Sequence, residues 1–227
     1  MRAERSEDFE GLRELDGVVH GFSLRDRAVP GGLDRVGVLA YLEASFRQMV
    51  LGLGFEWDQL ITGEQVHGNE VADIGPTVEP VKGIAGIDGL VTARQDVLLG
   101  VYVADCAAVY FVDRRCGVVG LAHSGRKGTE LGIVSRTLEV MADRYGTRGE
   151  DVRVQLSPCI RPPHFEVDFA AEIRRQCLAM GVLPEEVFDN GVSTACDLER
   201  YYSYRMEKGK TGRMLALLGR RVEQAFA

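Results

Sequence analysis

The fold of this chain is decided by three apolar runs that follow one another closely, Val97-Leu-Leu-Gly-Val-Tyr-Val-Ala104, Ala107-Ala-Val-Tyr-Phe-Val112 and Gly117-Val-Val-Gly-Leu-Ala122. Runs this short and nearly unbroken are typical of β-strands that are buried on both faces. Polar residues interrupt them at two places, because Asp105-Cys106 separates the first two runs and His123 follows the third. The sequence therefore predicts a largely buried sheet whose strand ends present polar side chains to a cleft.

Around these runs, strands and helices are mixed without a strict βαβ alternation. Further strands are predicted at residues 18–22, 88–92 and 152–156, and one or two strands are predicted within residues 59–74, around Gln65-Val-His67. The spacing of apolar residues predicts helices over residues 34–53, 128–145 (with Thr129 as N-cap), 169–180, 198–208 and 213–226. This pattern predicts the α+β class, with a mixed, largely buried β-sheet and helices packed on its faces.

The composition is that of a single globular domain. The chain has 227 residues, of which 45% are hydrophobic and 27% charged, and this length is enough to bury a sizeable core. We expect one layered domain over residues 1–227, in which residues 1–16 form a loose N-terminal segment. No apolar run reaches the ~18 residues of a membrane helix, and the charged N-terminus does not resemble a secretory signal.

The net charge limits the classes of binding partner, and the cysteine content indicates the redox state of the cellular compartment. The net charge is −7, which argues against nucleic-acid binding because such proteins usually present a basic face. Five widely spaced cysteines with no CxxC motif do not suit a disulfide framework, and they favour a reducing cytoplasm.

Three residues form a candidate metal site: His67 within Gln65-Val-His-Gly68, Cys106 and His123. One thiolate and two imidazoles suit Zn²⁺ and leave a fourth coordination position open for water or substrate. The spacings of 39 and 17 residues match no local metal-binding motif. On the alternative interpretation, Cys106 is a small buried hydrophobe and each histidine is a hydrogen-bonded structural residue.

Several cations are candidate anion ligands. The segment Ser124-Gly-Arg-Lys-Gly-Thr129 contains Arg126 and Lys127 and leads into a predicted helix. Backbone N–H groups and the helix dipole favour a bound anion there, although a solvated turn is an equal alternative. Arg25 and Arg205 are further candidates for the same role.

Seven short motifs occur in a characteristic order: His20-Gly-Phe-Ser-Leu-Arg25, Gln65-Val-His-Gly68, Asp88-Gly-Leu-Val-Thr92, Ala104-Asp-Cys106, Ala122-His-Ser-Gly125, Ser157-Pro-Cys-Ile160 and Tyr202-Ser-Tyr-Arg205. The series resembles the laccase-domain family, also called the polyphenol oxidase or purine nucleoside phosphorylase family, over about residues 18–220. The resemblance implies a single-domain layered fold and a zinc ion bound by His67, Cys106 and His123. It also places Arg25 at the position of an arginine of the family.

The family's activities are phosphorolysis of adenosine, inosine, guanosine and methylthioadenosine, and deamination of adenosine. The resemblance therefore implies a zinc-dependent cytoplasmic enzyme, a monomer or homodimer, whose partners are a nucleoside and phosphate. Arg25, with Arg126, Lys127 or Arg205, would hold the phosphate, and zinc-bound water would serve deamination. Asp105 would carry a proton or orient a metal ligand.

Two departures from the family pattern keep alternatives open. Ala122-His-Ser-Gly-Arg-Lys-Gly128 stands where the family usually has Ala-His-Ala-Gly-Trp-Arg-Gly, and residues 26–33 lack the usual asparagine. The alternatives are a copper-dependent polyphenol oxidase, a metal-free cysteine hydrolase that uses Cys106 and His123, and a nucleoside-binding protein without catalysis. The copper alternative needs a further cluster of imidazoles, and the chain has only four histidines.

Overall fold

The computed structural model describes residues 6–30 and 33–221. The helices of these residues are α1 (Glu10–Arg13), α2 (Arg35–Gly52), α3 (Arg126–Glu130), α4 (Ile133–Tyr145) and α5 (Phe169–Ala179). The strands are β1 (Ser6–Glu7), β2 (Val18–Ser23), β3 (Leu60–Gly63), β4 (Val71–Asp73), β5 (Lys82–Ile84), β6 (Gly89–Thr92), β7 (Leu98–Val103), β8 (Ala107–Asp113), β9 (Val119–Ser124), β10 (Val152–Leu156), β11 (Val187–Asp189) and β12 (Met214–Arg220).

The strands form two mixed sheets. The first sheet has the order β1-β2-β12-β7-β3-β5, and the second has the order β11-β10-β8-β9-β6-β4. Each sheet contains antiparallel pairs at its centre and parallel pairs near an edge, such as β3 with β5 and β10 with β11. The α+β class and the mixed strand directions are confirmed, but the strands divide between two sheets where the sequence predicted one.

The two sheets pack against each other because the central strands are apolar on both faces. Every residue of β8 is buried, and successive side chains of a strand point to opposite sides. Ala108, Tyr110 and Val112 face the first sheet, while the alternate residues pack with α4 and α5. The first sheet is covered on its other side by α2, whose Met49 lies against Gly21 of β2. The layers are therefore helix, sheet, sheet and helices.

The C-terminal part of the sequence folds differently from the prediction. Residues 213–226 were expected to be helical, but β12 occupies the middle of the first sheet, and residues 222–226 lie outside the described range. Residues 214–219 are all buried, and an apolar run of this kind cannot be assigned to helix or strand by periodicity alone. The helix predicted over residues 198–208 is a series of turns, in which the Glu207 carboxylate accepts hydrogen bonds from Ser203 and Thr211.

The helices predicted over residues 34–53 and 169–180 are confirmed as α2 and α5. The helix predicted over residues 128–145 is divided, because Gly132 between α3 and α4 has a left-handed backbone with φ 83°. Thr129 is not an N-cap. Its hydroxyl donates to the carbonyl of Gly125 at 2.7 Å inside α3.

The N-terminal segment is packed rather than loose where the structure describes it. Phe9 and Leu12 are buried, and the ring of Phe9 lies edge-on to Tyr110 with centroids 5.4 Å apart. The expectation of a loose segment is therefore wrong for residues 6–13, and residues 1–5 lie outside the described part. Among the described residues, no helix combines the length and hydropathy of a membrane span.

A hydrogen bond between the sheets yields the first prediction. The buried hydroxyl of Tyr110 on β8 donates to the carbonyl of Gly21 on β2 at 3.0 Å. We expect Tyr110→Phe to lower the free energy of unfolding by about 1–2 kcal/mol, because the carbonyl loses its buried donor. Urea denaturation measures the change, and Tyr41→Phe on the exposed face of α2 is the matched control. Equal stability of the two variants would contradict the assignment.

Candidate metal centre

His67, Cys106 and His123 converge at the junction of the two sheets. Their ligand atoms all lie within 4.8 Å of one another, and the imidazole rings of His67 and His123 have centroids 4.8 Å apart. The register of β8 and β9 brings Cys106 close to His123, because Ala108 pairs with His123 and Cys106 immediately precedes β8. The loop after β3 supplies His67. The structure thus brings together all three predicted metal ligands.

A buried carboxylate organises this cluster. Asp88 accepts hydrogen bonds from the backbone N–H groups of Val66, His67 and Gly68 at 2.7–3.0 Å, and it lies 2.8 Å from Nδ1 of His123. An ionised carboxylate only accepts, so Nδ1 of His123 carries a proton and Nε2 is the nitrogen left to bind a metal. Sequence analysis missed this role, although Asp88 begins a predicted strand and polar residues at strand ends were the signal used for Cys106.

Left-handed backbone at non-glycine residues is concentrated around the centre. Gln65, His67 and Asp105 have φ values of 62°, 60° and 79°, a conformation that costs free energy and persists where the surroundings enforce it. The Gln65 side chain is fixed by two hydrogen bonds with the backbone of Tyr102, at 2.7 and 2.8 Å. The loop that presents His67 is therefore held in a defined shape before any ligand binds.

Space for the sulfur depends on the absence of a side chain at Gly125. A Cβ atom built there would lie 2.5 Å from Sγ of Cys106 and 3.5 Å from the ring of His67. The backbone of Gly125 is extended, with φ −97°, so the constraint is steric and does not come from the backbone conformation.

Electrostatics favour the thiolate form of Cys106. Burial raises the pKa of the thiol, but the charges and hydrogen bonds of His123 and His67 outweigh it and lower that pKa below its ordinary value. Burial lowers the pKa of His123, but the charges and hydrogen bonds of Cys106 and Asp88 outweigh it and raise that pKa to about 9. A thiolate is the form that binds metals, and one thiolate with two imidazoles fits a zinc ion with an open position.

The centre lies on the wall of a cavity of about 770 Å³, a size typical of small-molecule sites. Aromatic side chains form part of the lining, namely Tyr102, Phe165, Phe169 and Tyr204. The cavity also contains cations on several sides, namely Arg35, Arg126, Lys127, Arg205 and Arg213. The arrangement can hold a flat apolar group and an anion close to a metal ion.

The predicted anion ligands differ in their surroundings. Arg126 and Arg205 line the cavity, but both are exposed and pair with acidic side chains, Arg126 with Glu130 at 2.9 Å and Arg205 with Glu166 at 3.1 Å. Lys127 lines the cavity and has no ion pair with a described residue. Lys127 is the second residue of α3, which has only five residues, so the predicted anion site at a long helix N-terminus is not formed.

Arg25 does not line this cavity. It lines a second, smaller cavity of about 390 Å³, pairs with Glu207 at 2.8 Å, and lies over the ring of Tyr202 at 5.0 Å from its centroid. The structure therefore places Arg25 at a different cavity from the metal ligands, and its role in holding phosphate stays a prediction. Its structural role is to anchor the turns of residues 201–207 to the end of β2.

Asp105 uses both carboxylate oxygens in the structure. Oδ1 accepts the hydroxyl proton of Thr194 at 2.7 Å, and Oδ2 accepts the backbone N–H of Arg205 at 2.7 Å. These bonds connect the residue before Cys106 to the segment of Thr194 and to the loop of Arg205, which lines the cavity. Of the two roles predicted for Asp105, the geometry supports orientation of a metal ligand.

Comparisons with known proteins identify close relatives. A family model described as multi-copper polyphenol oxidoreductase laccase matches residues 39–173 and 167–221. The purine nucleoside phosphorylase YlmD of Geobacillus stearothermophilus is 31% identical over 78% of this chain and 78% of that protein. A purine nucleoside phosphorylase of Deinococcus radiodurans is 35% identical over 76% of this chain and 74% of its own.

Solved structures share the fold. The crystal structure of YlmD from Geobacillus stearothermophilus superposes with a TM-score of 0.82 at 26% identity and covers 98% of both chains. The crystal structure of the Bacillus licheniformis hypothetical protein YfiH superposes with a TM-score of 0.81 at 21% identity, covering 92% of this chain and 95% of that one. The second likeness is one of fold alone.

The steric constraint at Gly125 yields the second prediction. After loading with zinc, we expect Gly125→Ala to be folded but to retain less zinc than the wild type, because the added methyl group displaces Sγ of Cys106. Elemental analysis after dialysis measures zinc per chain, and Gly52→Ala is the matched control, since a Cβ there meets no atom within 4 Å. A folded Gly125→Ala protein with the zinc content of the wild type would overturn this account of the site.

The carboxylate of Asp88 yields the third prediction. Asp88→Asn keeps the shape but replaces one acceptor oxygen with a donor, so the loop and His123 lose part of their support. We expect zinc affinity to fall about 10- to 100-fold, as is typical for partners that orient metal ligands. Competition with a chelator of known affinity measures the change, and Asp143→Asn on the exposed face of α4 is the control. Unchanged affinity would show that Asp88 does not orient the ligands.

Proposed function

The chain belongs to the family described as multi-copper polyphenol oxidoreductase laccase, and from that premise we propose that it is a zinc-dependent purine nucleoside phosphorylase. Its substrates are adenosine, inosine, guanosine and methylthioadenosine, with phosphate as co-substrate and adenosine deamination as a second reaction. Relatives of 31 and 35% identity carry the name purine nucleoside phosphorylase. The observation that carries the proposal is the His67, Cys106 and His123 cluster on the wall of a cationic cavity.

The cavity suits both reactants. A purine base is flat and apolar on its faces, and the rings of Phe165 and Tyr204 offer surfaces for stacking. Phosphate requires positive charge, which the cations of the same cavity supply. Binding both molecules in one site turns their encounter into a positioned reaction.

In phosphorolysis, a phosphate oxygen forms a bond to C1′ of the ribose while the bond from C1′ to the purine nitrogen breaks. The leaving base takes the bonding electrons and a proton, and ribose 1-phosphate is the other product. Asp88 fixes the ring of His123 with its proton on Nδ1, and Asp105 holds the loops beside Cys106. When bound by the cluster, zinc supplies a Lewis acid and a site for water activation.

The chain's histidines favour zinc over a multi-copper centre. The chain contains four histidines, and two of them belong to the cluster. His20 is engaged elsewhere, because its Nε2 lies 2.9 Å from the backbone nitrogen of Phe9. The imidazoles for a separate trinuclear copper cluster are therefore lacking.

The proposal extends to the domain organisation, the cellular compartment and the oligomeric state of the protein. We infer that residues 1–227 act as one catalytic domain in the cytoplasm, as a monomer or homodimer. All five cysteines are free, which suits a reducing compartment. The partners are the nucleoside and phosphate.

Removal of the sulfur ligand yields the fourth prediction. We expect Cys106→Ala to lose zinc and to lower the rate of ribose 1-phosphate formation by at least ~10²-fold, the order of loss when a charge-stabilising group is removed. The assay supplies inosine and phosphate to zinc-loaded protein and follows hypoxanthine and ribose 1-phosphate. The control is Cys116→Ala, whose thiol lies outside the cavity.

The same assay separates the alternatives. No ribose 1-phosphate from the zinc-loaded wild type would reject phosphorolysis, and tight inosine binding without turnover would indicate a binding protein. Adenosine without phosphate tests deamination, because inosine and ammonia form only if water attacks the purine. Full activity of the metal-depleted protein would instead favour a cysteine hydrolase that uses Cys106 and His123.

A further inference from the structure

Two arginines of the cavity have no carboxylate partner among the described residues. Arg35 begins α2 and Arg213 immediately precedes β12, and both line the cavity. Arg35 donates from Nη2 to the carbonyl of Glu64 at 3.1 Å. Arg213 donates from Nη1 to the carbonyls of Thr211 and Gly212 at 3.1 and 2.7 Å. Within the described part of the chain, each guanidinium therefore keeps N–H donors that are not used by the protein.

The other arginines discussed above are neutralised locally. Arg126 and Arg205 pair with glutamates at the exposed rim, and Arg25 pairs with Glu207 outside the cavity. The acid next to Arg35, Asp34, uses its Oδ1 to accept the backbone N–H of Gly37 at 2.8 Å. Among the arginines of the cavity, Arg35 and Arg213 are therefore the two whose positive charge is not paired with a carboxylate of a described residue.

The environment of Arg213 makes this arrangement unfavourable without an anion. Burial lowers the pKa of Arg213 and the positive charge of Arg35 lowers it further, while Cys106, Tyr204 and Asp105 raise it. Arg213 is partly buried and Arg35 is exposed, so the repulsion between the two positive charges costs free energy mainly at Arg213, where water screens it less. A doubly charged anion between them removes that cost, because each fork can donate two parallel hydrogen bonds to it.

We propose that Arg35 and Arg213 together hold a phosphate group in this cavity. The proposal rests on the proposed function and names the site of its anionic co-substrate. Both arginines line the same cavity as His67, Cys106 and His123, so a phosphate held by them lies in the cavity of the metal ligands. The chemistry recognised is a phosphate dianion, supplied either by inorganic phosphate or by the 5′-phosphate of a nucleotide.

The experiment compares the zinc-loaded wild type with Arg35→Gln, Arg213→Gln and Arg213→Lys. Arg136→Gln, on an exposed arginine of α4 paired with Glu139, is the control for the loss of one charge. Calorimetric titration with inorganic phosphate, and separately with inosine 5′-monophosphate, gives the dissociation constants. Zinc content and thermal unfolding establish that each variant has the wild-type centre and fold.

We expect both glutamine variants to weaken phosphate binding at least tenfold, a loss of about 1.4 kcal/mol, and the control to change it less than twofold. Arg213→Lys keeps the charge without the fork, so it retains part of the affinity and carries the test if Arg213→Gln does not fold. In phosphorolysis, KM for phosphate rises in the glutamine variants while KM for inosine stays within twofold. A merely structural role would change both constants.

Loss of binding to the nucleotide alone, with phosphate unaffected, supports the site and identifies a nucleotide as its source of phosphate. Unchanged binding of both probes in folded, zinc-loaded variants overturns the proposal, as does an effect of Lys127→Gln that the arginine variants lack. These outcomes are independent of turnover. Arginine-dependent phosphate binding in a wild type that forms no ribose 1-phosphate would reject the proposed function and leave this site standing.

Discussion

The carboxylate of Asp88 accepts three consecutive backbone N–H groups from the loop of residues 66–68 and the Nδ1 proton of His123. Its own carbonyl accepts the backbone N–H of His123 at 2.8 Å. Without these donors a fully buried carboxylate would be costly, so the loop and the histidine stabilise the charge and the charge fixes their positions. These hydrogen bonds to Asp88 determine the left-handed backbone of His67, the position of the proton on Nδ1 of His123 and the distance between the two rings.

Much of the centre could be predicted from the sequence because its ligands stand at the ends of buried strands. The apolar runs around Cys106 and before His123 form β7, β8 and β9, and the antiparallel register then brings both residues to one end of the second sheet. His67 was named as the third candidate from its residue type and the family resemblance implies the same role, although nothing local in the sequence relates its loop to the other two residues. Asp88 was visible in a motif, but its role depends on backbone donors that only the folded loop presents.

Other parts of the structure could not be predicted for a physical reason. The run Met214-Leu-Ala-Leu-Leu is apolar on every side, and its place between β2 and β7 is decided by long-range pairing. The distinction between binding and structural arginines depends on which acids lie nearby after folding. Arg25 was predicted to bind phosphate, but in the structure it pairs with Glu207. Arg213 was predicted to begin a helix, but in the structure it lines the cavity. A chain with net charge −7 thus concentrates unpaired positive charge in one place.

The three candidate ligands come from different layers of the molecule. His67 follows a strand of the first sheet, His123 belongs to the second, and Cys106 lies in the connection that crosses from one to the other. An ion held by all three is a cross-link between the two halves of the core, and its binding free energy adds to the cohesion of the sheets. Metal occupancy and the packing of the two sheets are therefore coupled, so that separating the sheets also releases the ion.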